Sequence, residues 1–201
     1  MLKFLTLSLL ICSLWAEASS YQSFYDYKLQ EFTQMKRSEL VFLGDSLTMR
    51  HNWSDFKASN MGIDGDTTAG ILSRMHLASQ AETIVLMIGV NDILNQTPLV
   101  KVQSNYTKIL RKFPHDQNIY ILSLLPVIDA AQTRKINQDI RTINKWLEIQ
   151  AKEYGFEYIN LYPEFLDTNK KGLKEELTND GIHLTPKAYR LWSTILRERL
   201  K

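Results

Sequence analysis

The sequence predicts an α/β fold in which a parallel sheet of five strands is covered by helices on both faces. From Glu39 onward, short apolar runs alternate with longer segments of helical periodicity. Among them, Thr83–Ile88 is a continuous apolar run, as expected for a strand that is buried on both faces of a sheet. Strands that alternate with helices are typically joined by right-handed crossovers, which make neighbouring strands parallel.

The elements follow one another along the chain without a linker, a repeat or a low-complexity segment. Apolar residues at helical spacing predict a first amphipathic helix over residues 21–38. The predicted strands are residues 39–43, 57–61, 83–88, 118–122 and 156–160. The predicted later helices are residues 67–76, 98–112, 133–154 and 186–199. Residues 163–181 are polar and rich in lysine, which predicts a surface loop.

Helix boundary signals support this order. We expect Asp66 to cap the helix that starts at Thr67, and Thr185 to cap the last helix, with Pro186 at its first position. Gly155 stands where the end of a helix favours left-handed backbone.

The first 18 residues differ in character from the rest of the chain. Lys3 precedes an almost uninterrupted apolar run from Phe4 to Trp15, and Ala16-Glu17-Ala18 fits a small-x-small cleavage pattern. We interpret residues 1–18 as a cleaved signal peptide, with an uncleaved anchor as the alternative, and residues 19–201 as a single domain. The protein is then expected to be periplasmic or secreted.

Composition excludes several classes of function. The single cysteine, Cys12, lies in the predicted signal peptide, so the mature chain is expected to have no disulfide, thiol chemistry or cysteine-rich metal site. The net charge is +2 without a long basic run, which gives nucleic-acid binding no electrostatic support. After residue 20 no apolar stretch is long enough to span a bilayer, so no stable membrane span is expected after signal cleavage.

The first candidate for chemistry is Ser46. It follows the first predicted strand in Gly44-Asp45-Ser46, which places it at the carboxyl end of that strand, where open α/β sheets bind ligands. Ser46 is therefore a candidate nucleophile for acyl transfer, and its amide is a candidate donor to an oxyanion. The alternative is an ordinary turn in which Ser46 or Asp45 caps the next helix.

Two further candidates follow the second and third strands. Gly62 allows close approach of backbone to a substrate, so its amide can donate to an oxyanion, although a plain turn glycine is the alternative. Asn91 supplies a neutral amide donor that does not titrate, and it can equally be a turn or capping residue. Asp92 beside it is interpreted as a structural hydrogen-bond acceptor.

Asp180 and His183 precede the last helix and form a candidate acid–base pair. A carboxylate three residues before a histidine, with Gly181 between them, can fold back onto the imidazole and fix its tautomer. The other histidines, His51, His76 and His115, have no such neighbour. The scattered acids and histidines give no spacing typical of a metal site.

Taken together in chain order, these segments resemble the four sequence blocks of the GDSL, or SGNH, hydrolase superfamily. The matching blocks are Gly44-Asp45-Ser46-Leu47, Asn60-x-Gly62, Gly89-x-Asn91-Asp92 and Asp180-x-x-His183. The resemblance covers about residues 39–199. It implies a three-layer α/β/α sandwich of flavodoxin-like topology, and hydrolysis of esters or thioesters with no metal and no other cofactor.

The resemblance also assigns roles to matching positions. It implies that Ser46 is the nucleophile, His183 the base and Asp180 the acid that orients the base. It further implies an oxyanion hole formed by the amides of Ser46 and Gly62 and by the side chain of Asn91.

Within the superfamily, residues 62–68 and Leu124-Leu125-Pro126 look most like the platelet-activating-factor acetylhydrolase-like branch, which takes short acyl groups. The exported thioesterase and lysophospholipase branch usually has Gly-Gly-Asn-Asp in its third block, where this chain has Val90. The resemblance thus predicts a serine esterase for small-molecule, lipid or glycan acyl esters. A lysophospholipase or thioesterase and a carbohydrate O-acetylesterase remain alternatives of the same chemistry.

Two other classes of protein share such a fold. A binding domain without catalysis is possible in principle, because a fold does not fix a function. A nucleotide-binding protein is disfavoured, because the spacing of Gly62, Gly65 and Gly70 does not match a dinucleotide-binding loop. Trp53 and Ile128 are candidates either for an acyl pocket or for the core.

Overall fold

A computed structural model describes residues 19–36, 38–114, 116–169 and 171–200. The predicted signal peptide and His115 lie outside the described residues. The chain divides between residues 36 and 37 into two units, which are described separately. In the first unit a helix, α1, spans residues 19–34, and Lys28 pairs with Glu31 one turn further along it. Within the described ranges no helix is long and apolar enough to cross a membrane.

The second unit is built on five parallel strands. They are β1 (Leu40–Gly44), β2 (Ser59–Gly62), β3 (Thr83–Met87), β4 (Asn118–Leu122) and β5 (Glu157–Ile159). Their order across the sheet is β2-β1-β3-β4-β5, and every neighbouring pair is parallel. Helices cover both faces, which confirms the predicted three-layer α/β/α architecture and its flavodoxin-like strand order.

The helices of this unit agree with the predicted ones within two residues at most boundaries. They are α2 (Ser46–Met49), α3 (Thr68–Arg74), α4 (Val90–Leu94), α5 (Leu99–Lys112), α6 (Arg134–Tyr154), α7 (Tyr162–Phe165) and α8 (Pro186–Arg199). The sequence did not predict α4 and α7, because four or five residues are too few to show a helical period.

Of the three predicted helix-boundary residues, one was wrong and two are confirmed. Thr67, not Asp66, caps α3, because its hydroxyl accepts from the amide of Gly70 while Asp66 binds a buried arginine. Thr185 caps α8, and Gly155 ends α6 with φ of 73°. Both of these were predicted.

The core extends across both faces of the central strands. Val41, Phe42 and Leu43 in β1 are at most 1% exposed. Trp53 stacks on Phe42 with ring centroids 3.9 Å apart, so it belongs to the core.

The segment predicted as a surface loop at residues 163–181 is anchored in the interior. Its side chains Phe165, Leu173 and Leu177 are buried. A short bridge also joins Leu166 to Leu173 in antiparallel fashion.

The order of the strands indicates which edge of the sheet can hold a ligand-binding site. From β1 the chain crosses to β2 on one side of it, and then returns to β3 on the other side. The connections therefore diverge beyond the carboxyl ends of β1 and β3, which leaves a crevice at this edge of the sheet. Ser46 follows β1 and Asn91 follows β3, so both lie at that crevice.

Candidate active site

Ser46 is the first residue of the one-turn helix α2 and is almost fully buried. Neighbouring groups hold this short helix in place. Asp45 caps it through Oδ1, which accepts from the Leu47 amide at 2.9 Å. The hydroxyl of Tyr189 and the indole of Trp53 donate to the carbonyls of Leu47 and Thr48. Ser46 is therefore presented by a rigid turn although α2 is only four residues long.

Asp180 and His183 lie on a tight loop before α8. One carboxylate oxygen of Asp180 accepts from the amides of Ile182 at 3.0 Å and His183 at 2.7 Å. The other lies 2.6 Å from Nδ1 of His183. Gly181 makes the reversal possible with φ of 94°, a value that side chains disfavour. The fold-back of the carboxylate onto the imidazole is thus present as the sequence predicted.

The structure brings Ser46, His183 and Asp180 into one chain of contacts. Nε2 of His183 lies 3.1 Å from Oγ of Ser46, although the two residues are 137 positions apart. Burial opposes ionisation of Asp180, but hydrogen bonds from the His183 side chain and from two amides outweigh it and lower its pKa to about 2. Asp180 is therefore ionised at any ordinary pH, as a residue that orients an imidazole must be.

Gly62 ends β2 beside α2. A Cβ at this position would lie 2.3 Å from the amide nitrogen of Met49, so only glycine permits this close packing. The Gly62 amide donates to Oδ1 of Asn60 at 3.0 Å. The side-chain nitrogen of Asn60 in turn lies within hydrogen-bond distance of three carbonyls at the end of α2, those of Thr48, Met49 and His51, which share its two hydrogens.

Asn91 lies on α4 at the same edge of the sheet. Its side-chain nitrogen donates to the carbonyl of Asp66 at 2.9 Å, which fixes the orientation of the amide. An asparagine amide has two hydrogens, so this bond uses only one of them. Asp92 accepts from the amide and hydroxyl of Thr68, which confirms its predicted structural role.

One buried ion pair below the crevice was not found from the sequence. Arg74, on α3, is 1% exposed and binds Oδ2 of Asp66 at 2.7 Å. Its other nitrogens donate to the carbonyls of Met61 at 2.8 Å and Gly44 at 2.9 Å. Arg74 thus ties together the carboxyl ends of β1 and β2. Eight residues separate it from Asp66, and no motif marks the pair.

Asp45, which directly precedes Ser46 and caps α2, is also buried. Among the described residues its Oδ2 has no hydrogen-bond partner. Burial raises its pKa to about 7, and the charges of Asp66 and Asp64 add to the effect. The carboxyl group next to the candidate nucleophile therefore takes up a proton far more readily than an exposed aspartate.

We predict that this carboxyl group makes stability depend on pH. The unfolded chain loses the Asp45 proton near pH 4, whereas the folded protein keeps it until about pH 7. The free energy of unfolding should therefore fall as the pH rises through this window, by about 4 kcal/mol at 1.36 kcal/mol per pH unit. Asp45→Asn removes the effect, so the stability of the variant minus that of the wild type should rise across the window.

Denaturant unfolding at a series of pH values measures this difference. Titrating groups remote from Asp45 contribute equally to both proteins and cancel. A difference that stays constant from pH 4 to pH 8 would contradict the assignment.

Fold and site together define the class of protein: a three-layer α/β protein with a serine, a histidine and an aspartate in contact at the switch point of its sheet. The model of the GDSL-like lipase/acylhydrolase family matches residues 35–191. The chain therefore belongs to that family. No curated protein sequence matches it.

Solved structures of other proteins share the fold at low sequence identity. A platelet-activating-factor candidate from Streptococcus pneumoniae is 22% identical, with a TM-score of 0.84 over 95% of this chain and 99% of its own. A GDSL-like lipase from Bacteroides thetaiotaomicron is 21% identical, with a TM-score of 0.72 over 87% and 95% of the two chains. A catalytic mutant of an acetylxylan esterase from Geobacillus stearothermophilus is 16% identical, with a TM-score of 0.68 over 82% and 95%.

Proposed function

We propose that the protein is an exported serine esterase that hydrolyses carboxylic esters of short acyl groups through an acyl-enzyme intermediate. One observation carries the proposal: Oγ of Ser46 lies 3.1 Å from Nε2 of His183, whose other ring nitrogen lies 2.6 Å from Asp180. A hydroxyl, a base and a carboxylate in this order are the parts that acyl transfer requires. Membership of the acylhydrolase family supports the same reaction.

In the first half of the reaction Ser46 is acylated. Nε2 of His183 takes the hydroxyl proton as Oγ bonds to the ester carbon, and the carbonyl electrons move onto oxygen. When the carbonyl re-forms, the bond to the alcohol oxygen breaks and His183 gives that oxygen its proton. Asp180 holds Nδ1–H in the required tautomer and stabilises the imidazolium. Water, activated by His183, then releases the acid in the same way.

The oxyanion formed in each half needs hydrogen-bond donors. The Ser46 amide is at the start of α2, where a helix leaves its first amides without partners inside the helix. The remaining amide hydrogen of Asn91 is the second donor. The Gly62 amide is the third, and it reaches the oxyanion only by sharing or releasing its bond to Asn60.

Replacement of Asn91 by alanine tests this arrangement. We expect kcat to fall by about 10²- to 10³-fold with little change in KM, because the lost bond forms mainly in the transition state. Asn95→Ala is a matched control, since Asn95 is exposed at the end of the same helix. Steady-state kinetics with p-nitrophenyl acetate measure both variants. An Asn91→Ala enzyme as active as the Asn95→Ala enzyme would remove Asn91 from the proposed site.

The substrate class is tested with a series of p-nitrophenyl esters from acetyl to palmitoyl and with an acetylated sugar. We expect the highest kcat/KM for the shortest acyl groups. A maximum at long chains would favour a lysophospholipase or lipase instead. Preference for the acetylated sugar would favour a carbohydrate O-acetylesterase, the activity named for one structural neighbour. Inertness toward every ester would favour a binding domain.

A further inference from the structure

A basic cavity lies at the start of α6, next to the segment that contacts the loop carrying His183. Its volume is about 410 Å³, and it is lined by Asp129, Arg134, Gln138, Arg141 and Lys171. Three of these residues are cations and one is an anion, whereas the whole chain has a net charge of only +2. Positive charge is thus concentrated at this point of the surface.

The cavity is connected to the candidate active site through one short segment, residues 127–129. The Ile128 amide donates to the carbonyl of Gly181, which is between Asp180 and His183, at 2.9 Å. On the other side the segment packs against Gly172, where a Cβ would lie 2.4 Å from the amide nitrogen of Asp129. The loop with the proposed base and the loop with Lys171 therefore enclose the same segment.

The two guanidinium groups of this cavity have more N–H donors than their contacts within the protein use. Arg134, Gln138 and Arg141 are spaced by four and three residues on α6, which places them on one face of the helix. The contact of Arg134 with Asp129 is 3.9 Å long, and that of Arg141 with the Tyr162 hydroxyl is 3.4 Å. Each guanidinium has five N–H donors, and paired donors match the oxygens of phosphate or carboxylate.

The reaction geometry indicates which part of a substrate could reach this cavity. His183 must protonate the alcohol oxygen as it leaves, so the alcohol portion must lie on the side of His183. The carbonyl oxygen must instead point toward Asn91, on α4. Asp129 of the cavity follows Ile128, which contacts the His183 loop at Gly181, so the cavity is on the side of the alcohol.

We propose that this cavity binds an anionic group, phosphate or carboxylate, on the alcohol portion of the ester substrate. The inference rests on the proposed function, because it assigns the leaving group of that reaction. It narrows the substrate class to esters whose alcohol portion carries a phosphate or carboxylate group.

The test compares three esters that share one acyl group and differ in the alcohol: neutral, phosphate-bearing and carboxylate-bearing. The quantity measured is the ratio of kcat/KM for each anionic ester to that for the neutral ester, with the full chain at low salt. We expect a ratio of about ten or more in the wild type, falling as salt screens the exposed charges. Arg134→Gln/Arg141→Gln should bring it close to one, and the better of the two anions identifies the group.

Lys152→Gln provides a control for the loss of a positive charge elsewhere on the same helix, since Lys152 is an exposed cation at its far end. This control should keep the wild-type ratio. Because the ratio is taken within each variant, a general loss of activity cancels. A ratio near one in the wild type, or an equal fall in Lys152→Gln, would overturn the inference while leaving ester hydrolysis intact.

Failure of the proposed function itself has a different signature, namely no hydrolysis of any of the three esters. In that case, calorimetric titration of inorganic phosphate into the full chain tests whether the cavity binds an anion, independently of catalysis. Binding that is weakened at least severalfold in Arg134→Gln/Arg141→Gln, but not in Lys152→Gln, supports the cavity. Equal binding in all three proteins, or none, overturns it.

Discussion

Ser46→Ala is expected to lower kcat for p-nitrophenyl acetate by about 10⁴- to 10⁶-fold, because a serine nucleophile and its histidine act as one catalytic unit. Without Oγ there is no acyl-enzyme, and only binding and the oxyanion donors remain to assist direct attack by water. His183→Ala should lose nearly as much. The double variant should lose little more than either single one, because the two groups act as a unit.

The chain offers a close control for this experiment. Ser193 is also buried and its Oγ lies 3.2 Å from Nε2 of a histidine, His51, but this pair is outside the proposed site. Ser193→Ala should keep most of the activity, with folding of every variant checked by circular dichroism. A Ser46→Ala enzyme that retained as much activity as Ser193→Ala would contradict the proposed role of Ser46.

Arg74→Met is expected to cause the largest loss of stability, about 3–5 kcal/mol, or roughly 10 °C in Tm. The substitution leaves the buried carboxylate of Asp66 without its cation and takes a donor from each of the carbonyls of Met61 and Gly44. A buried charge without a partner is far more costly than a lost surface ion pair. Thermal and denaturant unfolding measure the effect.

Two further variants separate this cause from a general effect of losing an arginine. Arg50 forms a two-pronged ion pair with Asp64 at the surface, so Arg50→Met should cost no more than about 1 kcal/mol. The double variant Asp66→Asn/Arg74→Met should recover part of the loss, since it also removes the charge of the Asp66 carboxylate. Equal losses in Arg50→Met and Arg74→Met would show that the ion pair has no special role.

Local patterns in the sequence were sufficient for the sheet and for most helices. Strands β1, β3 and β4 are mainly apolar runs, and α5, α6 and α8 are long enough for their apolar positions to show a period. Thr185-Pro186 and Gly155 act within their own helices, so their roles could be predicted without knowledge of the fold. The helices α4 and α7 are too short for their apolar positions to show a period.

In the candidate site, too, the local features could be predicted from the sequence and the tertiary contacts could not. The fold-back of Asp180 onto His183 is local, because three residues and one glycine determine it, and it was predicted. The contacts of the Asn60 side chain with the end of α2 and the ion pair of Arg74 with Asp66 depend on how β1, β2, α2 and α3 pack. No spacing in the sequence marks contacts that only tertiary packing creates, and the burial that raises the pKa of Asp45 has the same origin.

The central claim is that Oγ of Ser46 forms the covalent bond to substrate. The most direct measurement is reaction of the active full chain with a fluorophosphonate, followed by peptide mass spectrometry and assay of residual p-nitrophenyl acetate hydrolysis. We expect one phosphonyl group per chain, bound to Ser46, with activity lost in proportion to labelling and little labelling in His183→Ala. Full inactivation with Ser46 unmodified, or a chain that hydrolyses esters while Ser46 stays inert, would contradict the claim.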